Sequence, residues 1–285
     1  IVYIIGQLDI GGAETHLLKI LPRLNSLEYN VKLFSLRTGG QLENEFIDAG
    51  VKLYSDRIVG SGVISKFMRV LYLCYILLKE RPTIIHYFLP EAYLVGAVCS
   101  IFSPRSIRVM SRRSLNVYQK QKPLLKHFEY FIHRFMHLIL GNSKAVVNEL
   151  NEEGIEKDKI KLIYNGIVTP ELINNELKNC VRKILGVSES VLVISIISNL
   201  IPYKGHKDLL YALKTISAEL PKEWLLLCVG RDGGYSKELI NLAEELNLNE
   251  HIKFVDHTRD TASYLNASDI GVLPSHQEGF SNSLL

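Results

Sequence analysis

Short apolar segments alternate with amphipathic helical patterns along the whole chain, and this alternation constrains the fold more than any other feature of the sequence. Segments such as IVYIIG, TIIHYF and VLVISIIS are rich in β-branched residues and apolar on both faces. Strands with that pattern are typical of parallel sheets that helices cover on two sides. The sequence therefore predicts an α/β protein with doubly wound parallel sheets.

The alternation occurs twice, with a polar segment over residues 165–183 between the two halves. This segment contains Pro170 and is predicted to be a linker. With 285 residues, the chain is long enough for two domains that each bury a core. The sequence predicts an N-terminal domain over residues 1–167 and a C-terminal domain over residues 168–285. The second half shows only four strand patterns, whereas such domains have roughly five or six strands, so this domain is predicted to be incomplete.

Composition excludes several other classes of protein. A hydrophobic content of 47% with 22% charged residues excludes disordered, collagen-like and disulfide-scaffold chains. The densest apolar run, residues 70–78, is shorter than the ~20 residues that a membrane-spanning helix needs. The four cysteines form no CxxC motif, and three of them lie in apolar runs. Together with the absence of a visible secretion signal, these features predict a cytoplasmic protein.

Two glycines mark the first candidate for binding an anion. The turn GQLDIGGAE follows the first predicted strand, and Gly11 and Gly12 precede a helix that starts near Glu14. A glycine pair before a helix lets backbone N–H groups approach an anion at the positive end of the helix. The segment does not match the dinucleotide fingerprint G-x-G-x-x-G, and a plain strand-to-helix turn remains the alternative.

Two candidates for catalysis follow predicted strands in the second half. Lys204 lies in the loop SNLIPYKGH, where an ammonium group can stabilise a leaving phosphate. Glu278 follows the strand DIGVLP; Gly279 allows close backbone approach, and residues 281–283 can open a helix whose N–H groups face a diphosphate. Because both strands belong to one predicted sheet, Lys204 and Glu278 are expected to face one cleft between the domains. A solvated lysine and a carboxylate at a helix start remain the alternatives.

A single histidine completes the candidates for catalysis. His86 ends the apolar strand TIIHYF, where it is either a hydrogen-bonded structural residue or part of the site. The sequence shows no catalytic triad, no Walker loop and no histidines at the spacing of metal ligands, so no metal is expected.

A strongly basic stretch covers residues 101–140, which carry eight lysines and arginines and one acid. Such a stretch binds nucleic acid, an anionic membrane or an anionic substrate, or is a solvated helix face. Cations and aromatic rings alternate over residues 115–137, which favours reversible binding to an anionic membrane surface. No nucleic-acid recognition motif accompanies the stretch, so nucleic acid is not an expected partner. Its basic residues are Arg105, Arg108, Arg112, Arg113, Lys120, Lys122, Lys126 and Arg134.

Six short motifs, taken in order, resemble one family. They are GGAE at 11–14, NSKAV at 142–146, IYNGI at 163–167, NLIPYKGH at 199–206, ASDIGVLPS at 267–275 and EGFSNSLL at 278–285. In this order they resemble the retaining glycosyltransferases of family 4, also called group 1. The resemblance extends over almost the whole chain and implies the GT-B fold, in which two Rossmann-like domains face a cleft.

The resemblance also implies an activity. A nucleotide-sugar donor would bind mainly to the second domain, and a glycan or lipid-linked acceptor mainly to the first. The sugar, a hexose, would be transferred with retention of its anomeric configuration and without a metal or other cofactor. The enzyme would be cytoplasmic, with peripheral binding to the inner face of the cell membrane. The implied catalytic residues are Lys204, Glu278 and His86, and the implied donor-binding residues are Gly11, Gly12, Asn199, Gly279, Phe280, Ser281, Asn282 and Ser283.

Three departures from the family pattern keep alternatives open. Ser198 and Asn199 stand where many members have Gly-Arg, and Phe88 stands where many have a second histidine. The second glutamate of the family motif would fall one residue beyond Leu285. Another GT-B activity, such as sugar-nucleotide epimerisation, and a non-catalytic sugar-binding module therefore remain alternatives. The sequence does not define the donor base, the sugar or the acceptor.

Overall fold

The computed structural model describes residues 1–55, 62–115, 119, 122–166, 175–256, 258 and 260–284. The chain divides into two compact units, Ile1–Asn165 and Gly166–Leu285. Within the described residues, each unit contains one sheet whose strands are all parallel, with helices packed against it. These parallel sheets confirm the predicted α/β class.

Seven strands of the described residues form the sheet of the first unit, in the order β3-β2-β1-β4-β5-β6-β7. They are β1 (Val2–Ile5), β2 (Lys32–Ser35), β3 (Lys52–Ser55), β4 (Ile84–Phe88), β5 (Ile107–Arg112), β6 (Leu138–Gly141) and β7 (Ile160–Leu162). The helices of this unit are α1 (Gly12–Ser26), α2 (Glu43–Asp48), α3 (Val63–Glu80), α4 (Pro90–Cys99), α5 (Pro123–His133) and α6 (Lys144–Glu152).

Two hydrophobic cores lie on the two faces of this sheet, because side chains alternate along each strand. On one face Tyr3 and Ile5 pack with Leu17 and Leu21 of α1. On the other face Ile4 packs in a core that side chains of α3, α4, α5 and α6 complete. Helices therefore cover both faces of the sheet.

The sheet of the second unit has four strands within the described residues, in the order β10-β9-β8-β11. They are β8 (Leu192–Ile197), β9 (Trp224–Val229), β10 (Ile252–Val255) and β11 (Ile270–Gly271). The helices of this unit are α7 (Asn175–Leu185), α8 (His206–Thr215), α9 (Ser236–Glu245) and α10 (Thr261–Ala267). All six residues of β9 are buried, as expected for a central strand with helices on both sides.

The predicted linker over residues 165–183 is wrong in its second half. Residues 167–174 lie outside the described residues, but α7 begins at Asn175 and packs on the second sheet. The polar composition of the segment led to the prediction of a linker. Val181 and Leu185, which are buried, nevertheless stand four residues apart, the spacing that places two side chains on one face of a helix.

Arg182 fixes α7 to the sheet from a buried position, with an exposed fraction of only 2%. Its Nη2 donates to Asp269 Oδ2 at 2.6 Å, and its Nε donates to the carbonyl oxygen of Ala267 at 3.0 Å. Its Nη1 donates to three carbonyl oxygens of the turn before β8. One guanidinium therefore satisfies acceptors from two separate segments, the turn before β8 and residues 267–269.

We expect Arg182→Met to lower the free energy of unfolding by about 3 kcal/mol, because five acceptors lose a charged donor in a buried site. Urea denaturation followed by circular dichroism measures the change. The matched control is Lys183→Met, since Lys183 is exposed on the same helix and surface substitutions cost about 0.5 kcal/mol or less. Equal unfolding midpoints for the two variants would contradict this account of Arg182.

Candidate functional site

The loop after β8 carries Lys204 at the carboxyl end of the strand. A short 3₁₀ turn, Pro202–Lys204, is followed by Gly205 and then by α8. Gly205 has a φ of +77°, and a Cβ at this position would lie 2.1 Å from the carbonyl oxygen of Pro274. Glycine is therefore required both by the left-handed backbone and by the close approach of the segment after β11.

Further hydrogen bonds join the segment after β11 to this loop. The backbone N–H of His276 donates to the carbonyl oxygen of Tyr203 at 2.9 Å, and His276 Nε2 lies 2.7 Å from Asp208 Oδ2. The Ser283 hydroxyl donates to the carbonyl oxygen of Ile197 at 3.0 Å. The chain therefore brings both candidate loops to the same edge of the second sheet.

Lys204 and Glu278 meet at this edge, although 74 positions separate them in the sequence. Lys204 Nζ donates a hydrogen bond to Glu278 Oε1, and both side chains keep some solvent exposure. Lys204 Nζ also lies 5.4 Å from the centre of the Tyr203 ring. The pair places a cation and a carboxylate side by side where an anionic ligand and its attached group can reach them.

His206 lies behind Lys204 and was not among the residues that the sequence singled out. It is buried, and burial and the neighbouring Lys204 lower its pKa to about 4. Its Nε2 is 3.5 Å from Ser198 Oγ, and nothing in the described part of the chain forms a hydrogen bond with its Nδ1. A neutral His206 leaves Lys204 as the cation of this loop. Its position two residues after Lys204 was the feature of the sequence that could have identified His206 as a neighbour of the site.

The remaining predicted donor-binding residues of this unit lie along the same edge. Asn199 is half-buried in the loop after β8, and Gly279, Phe280 and Ser281 are half-buried after β11. The helix expected to open at residues 281–283 stays a prediction.

Residues 282–284 form a turn. Within it, the Ser283 N–H donates to Ser281 Oγ at 3.2 Å. A serine oxygen that accepts from the N–H two residues further on also makes the hydrogen bond of a helix N-cap. Asn282 is exposed, whereas Ser283 is half-buried.

A pocket opens at the carboxyl ends of β4 and β5 in the first unit. Its volume is about 850 Å³ including its open mouth. His86, Ser111, Arg113 and Asn142 give it a polar end, and apolar side chains of α1, such as Ile20, form a wall. Asn142 is buried, and its Oδ1 has no hydrogen-bond partner within the described residues. A pocket with these walls can hold a ligand that is polar at one end and apolar along its side.

His86 lines this pocket as a neutral imidazole. Its Nε2 lies 2.7 Å from Ser111 Oγ, and its ring centre is 4.8 Å from those of both Tyr3 and Phe88. Burial first, and the charge of Arg113 second, lower the pKa of His86 to about 3. At neutral pH this ring can accept or donate one hydrogen bond but carries no charge. Its catalytic role remains a prediction.

Arg113 supplies a cation to the pocket, as does its neighbour Arg112, and sequence reasoning missed this role by grouping both with a basic surface stretch. Its guanidinium carbon lies 5.7 Å from the centre of the Phe88 ring. Burial lowers the pKa of Arg113 to about 10, against the opposing charge of Glu14, so it stays charged at neutral pH. The available signal was its position directly after β5, the criterion that identified Lys204.

The glycine turn after β1 has a specific partner. Gly11 caps α1 with an extended backbone, and a Cβ there would lie 2.5 Å from Glu14 Oε2. Glu14 is buried, so a carboxylate already lies beside the start of α1 in this structure. Gly11 and Gly12 remain predicted contacts of the donor phosphates.

The basic stretch is only partly a surface feature, which corrects the sequence analysis. Arg112 is buried, with Nη1 at 2.6 Å from Glu153 Oε1 and Nη2 at 3.1 Å from Glu129 Oε1. His133 Nε2 lies 3.1 Å from Glu153 Oε2. Arg112 also borders the pocket, but this network holds its guanidinium, whereas Arg113, just beyond β5, lies beside the pocket's Phe88. Tyr118 and Lys120 lie outside the described residues.

The described residues contain neither a candidate metal site nor a membrane-spanning helix. No three histidine, cysteine or acidic side chains there are grouped so that they could hold a metal ion. No helix there combines the length and hydropathy needed to cross a bilayer. The expectation of a metal-independent reaction remains a prediction.

Two units with parallel sheets, each carrying polar side chains at the carboxyl ends of its strands, define the class of Rossmann-like α/β proteins. Within it, the sequence model of Glycosyltransferase Family 4 matches residues 10–170, and that of Glycosyl transferases group 1 matches residues 178–285. The chain belongs to glycosyltransferase family 4.

Curated proteins that are similar in sequence to this chain are also glycosyltransferases. The chain is 26% identical to the capsular polysaccharide biosynthesis glycosyltransferase CapM of Staphylococcus aureus, in a match that covers 72% of the chain and 55% of CapM. It is 23% identical to CapH of the same organism, over 100% of the chain and 77% of CapH. The chain therefore spans about half of CapM and three quarters of CapH.

A solved structure confirms the predicted GT-B fold. The crystal structure of HepE from Anabaena, in complex with UDP and glucose, matches with a TM-score of 0.81 at 20% identity. The match covers 96% of this chain and 73% of HepE. The likeness at this identity establishes the fold.

The buried histidine predicts a pH dependence of stability. The pKa of His86 is about 3 when folded and about 6.5 when unfolded, so between these values only the unfolded chain takes up the proton. The contribution of His86 to stability is therefore complete above about pH 6.5 and falls as the pH drops, by up to about 1.4 kcal/mol per pH unit; His16 and His206, whose pKa values burial also lowers, add to the slope. Urea unfolding at several pH values from 7 to 4.5 measures this slope. We expect His86→Gln to reduce it, and an unchanged slope in that variant would contradict the assignment.

Proposed function

We propose that this protein transfers a sugar from a nucleotide-diphosphate sugar to a glycan or lipid-linked acceptor, with retention of the anomeric configuration. The observation that carries the proposal is the Lys204–Glu278 pair, formed by the two motifs of the family resemblance at one edge of the second sheet. The family membership of the chain supports the reaction class.

In this proposal Lys204 binds the donor diphosphate and Glu278 contacts the transferred sugar. The two side chains form an ion pair with each other. A diphosphate carries more negative charge than one carboxylate, so it competes for Lys204 and frees Glu278 for the sugar hydroxyls. The half-buried backbone after Glu278, including Gly279 and Ser281, then approaches the phosphates together with Asn199. Electrostatic stabilisation of the leaving phosphate is the main contribution of Lys204 to catalysis.

The pocket of the first unit is proposed to bind the acceptor. The neutral His86 and the buried amide of Asn142 suit acceptor hydroxyls, because each can form directional hydrogen bonds there. Arg113 suits a phosphate, and the apolar wall along α1 suits a lipid chain. CapM and CapH are named for capsular polysaccharide biosynthesis, which supports a glycan product for this chain as well.

The proposed transfer follows a front-face route without a metal. The bond between the anomeric carbon and the phosphate oxygen breaks, and a bond from that carbon to the acceptor oxygen forms on the same face. The acceptor proton passes to the leaving phosphate oxygen. The family resemblance supports this route, and the transferred sugar is proposed to be a hexose. HepE was crystallised with UDP and glucose, which makes UDP-glucose the first donor to test.

We also propose reversible binding to the inner face of the cell membrane through residues 115–137. The described part of this segment contains α5, whose outer face carries exposed Phe128 and Phe131 beside Lys126. Aromatic rings that enter the interface next to cations that attract anionic lipid support peripheral binding.

The two alternatives lead to different products. A screen of thermal stability with UDP, GDP and ADP first identifies the nucleotide, which should raise the melting temperature. Incubation with the matching nucleotide sugar and a glycan acceptor should then give a glycoside with the anomeric configuration of the donor, read by NMR. An epimerised donor would indicate a sugar-nucleotide epimerase instead. Binding without any product would indicate a sugar-binding module, and an inverted product would refute retention.

Replacement of Lys204 tests the catalytic assignment. We expect Lys204→Ala to lower turnover by about 10²–10³-fold, because one group that stabilises the leaving phosphate is lost. The melting temperature should change little, since a partly exposed loop lysine contributes little to folding. The matched control is Lys207→Ala, because Lys207 lies in the next turn and forms an exposed ion pair with Glu238. Turnover of Lys204→Ala close to that of the control would remove Lys204 from the mechanism.

A further inference from the structure

The helix α5 buries Ile132 in the core, but its other buried side chains are ionisable and its exposed face is apolar, unlike an ordinary surface helix. Its buried face carries Glu129 and His133, which bind Arg112, Glu153 and the hydroxyl of Tyr93. Its outer face presents a stripe of large apolar side chains at helical spacing, starting with Leu124, which is 87% exposed. The stripe consists of Leu124, Phe128 and Phe131, and Phe135 continues it just beyond the helix.

A second apolar stripe lies on α3, which the sequence analysis did not connect with the membrane. Ile64, the most exposed member after Val63, has an exposed fraction of 79%. The opposite face of α3 packs in the core through Leu73 and Leu77, so the stripe is not an unpacked helix. Its exposed apolar residues are Val63, Ile64, Phe67, Met68, Leu71, Tyr75 and Leu78.

The two stripes belong to one layer of the first unit. Both helices pack in the core on the same face of the sheet, and α4 lies between them in contact with each. A 3₁₀ turn, Ser100–Phe102, follows α4 and contacts α3, and it adds exposed Ile101 and Phe102. Side chains that point away from the sheet on these elements therefore share one side of the unit. Exposed apolar patches of this extent mark binding surfaces.

The exposed charges on α3 and α5 indicate which kind of partner this apolar surface binds. Lys66 and Lys79 are exposed on α3, and Lys122 and Arg134 are exposed at the two ends of α5. The acids of the two helices face inward: Glu80 accepts hydrogen bonds from Lys32 and Tyr54, and Glu129 accepts them from Arg112 and Gln119. The exposed ionic charges of both described helices are thus cationic. This pattern complements an anionic lipid surface, whereas two copies of it would repel each other.

We infer that α3 is the second half of a membrane-binding surface, in which the outer faces of α3, the Ser100–Phe102 turn and α5 together contact anionic phospholipid. This inference rests on the proposed membrane binding through residues 115–137. It adds that α3 supplies apolar side chains that insert below the headgroups. Two separate stripes fix the orientation of the first unit on the bilayer, which a single helix leaves free to rotate.

Co-sedimentation with vesicles tests the inference. The probes are vesicles of phosphatidylcholine alone and of phosphatidylcholine with phosphatidylglycerol, each at two salt concentrations. The protein should bind only the anionic vesicles, and less at high salt. We expect the triple variant Ile64→Ser, Phe67→Ser, Leu71→Ser to bind at least tenfold more weakly, because three inserted apolar side chains are lost. The variant Phe128→Ser, Phe131→Ser should be weakened as well.

A matched control separates a local effect from a general loss of apolar surface. Leu27, Tyr29 and Ile47 are exposed to similar extents, and they accompany α1 and α2 on the opposite face of the sheet. Their triple replacement by serine should leave vesicle binding unchanged. Circular dichroism melts establish whether each variant is folded. Sedimentation velocity without lipid establishes whether the surface joins two copies instead.

Leu71→Trp provides a second measurement that does not depend on the serine variants. The one native tryptophan, Trp224, is buried in the other unit and gives a constant background. The fluorescence of the introduced indole should shift to the blue on anionic vesicles if α3 inserts.

The outcomes distinguish the inference from the proposed function. Normal binding of the α3 variant with weakened binding of the α5 variant, and no blue shift, would overturn the role of α3 but leave the proposed membrane binding in place. Absence of binding by the unmodified protein, or binding that does not depend on anionic lipid, would overturn both. A dimer that the α3 variant dissociates, without any effect of lipid, would assign the surface to a second copy and overturn the inference.

Discussion

The candidate site of the second unit depends on the close approach of Pro274 to Gly205. The carbonyl oxygen of Pro274 occupies the space that a Cβ on residue 205 would need. Because residue 205 is glycine, the loop after β8 can touch the segment after β11. The touching loops bring Lys204 and Glu278 together at the carboxyl ends of neighbouring parallel strands. A parallel sheet places such ends at one edge, and the glycine removes the remaining obstacle between them.

Burial controls the charge of both candidate sites. His206 in the second unit and His86 in the first have their pKa lowered by desolvation and by a neighbouring cation, so both are neutral near pH 7. The cations that remain at these edges are Lys204 and Arg113. Each interacts with a carboxylate, Glu278 for the lysine and Glu14 for the arginine. An anionic ligand thus meets a fixed cation at each site, whereas His206 and His86 do not titrate near neutral pH.

In the first unit, a buried polar network determines which face of α5 is exposed. The buried Arg112 binds Glu129 and Glu153, which draws one face of α5 into the protein despite its charge. The aromatic residues of α5 are consequently left outside, on the same side of the unit as the apolar stripe of α3. A buried ion pair of this kind contributes little net stability, because desolvation offsets its attraction. Its consequence here is orientation: it decides which face of the helix solvent or a membrane meets.

The sequence by itself determined the α/β class, the strand positions and the motifs around Lys204 and Glu278, because periodicity and turn chemistry are local properties of a chain. It failed where the outcome depends on distant partners. Polar residues 175–183 read as a linker, yet they form a helix because Arg182 finds acceptors near β8 and at Asp269. The sequence analysis grouped Arg112 and Arg113 in one basic stretch, yet Arg112 is held by buried Glu129 and Glu153, whereas Arg113 lies over the Phe88 ring at the pocket. Only the tertiary structure decided these placements, since burial and ion pairing join residues that are far apart in the chain.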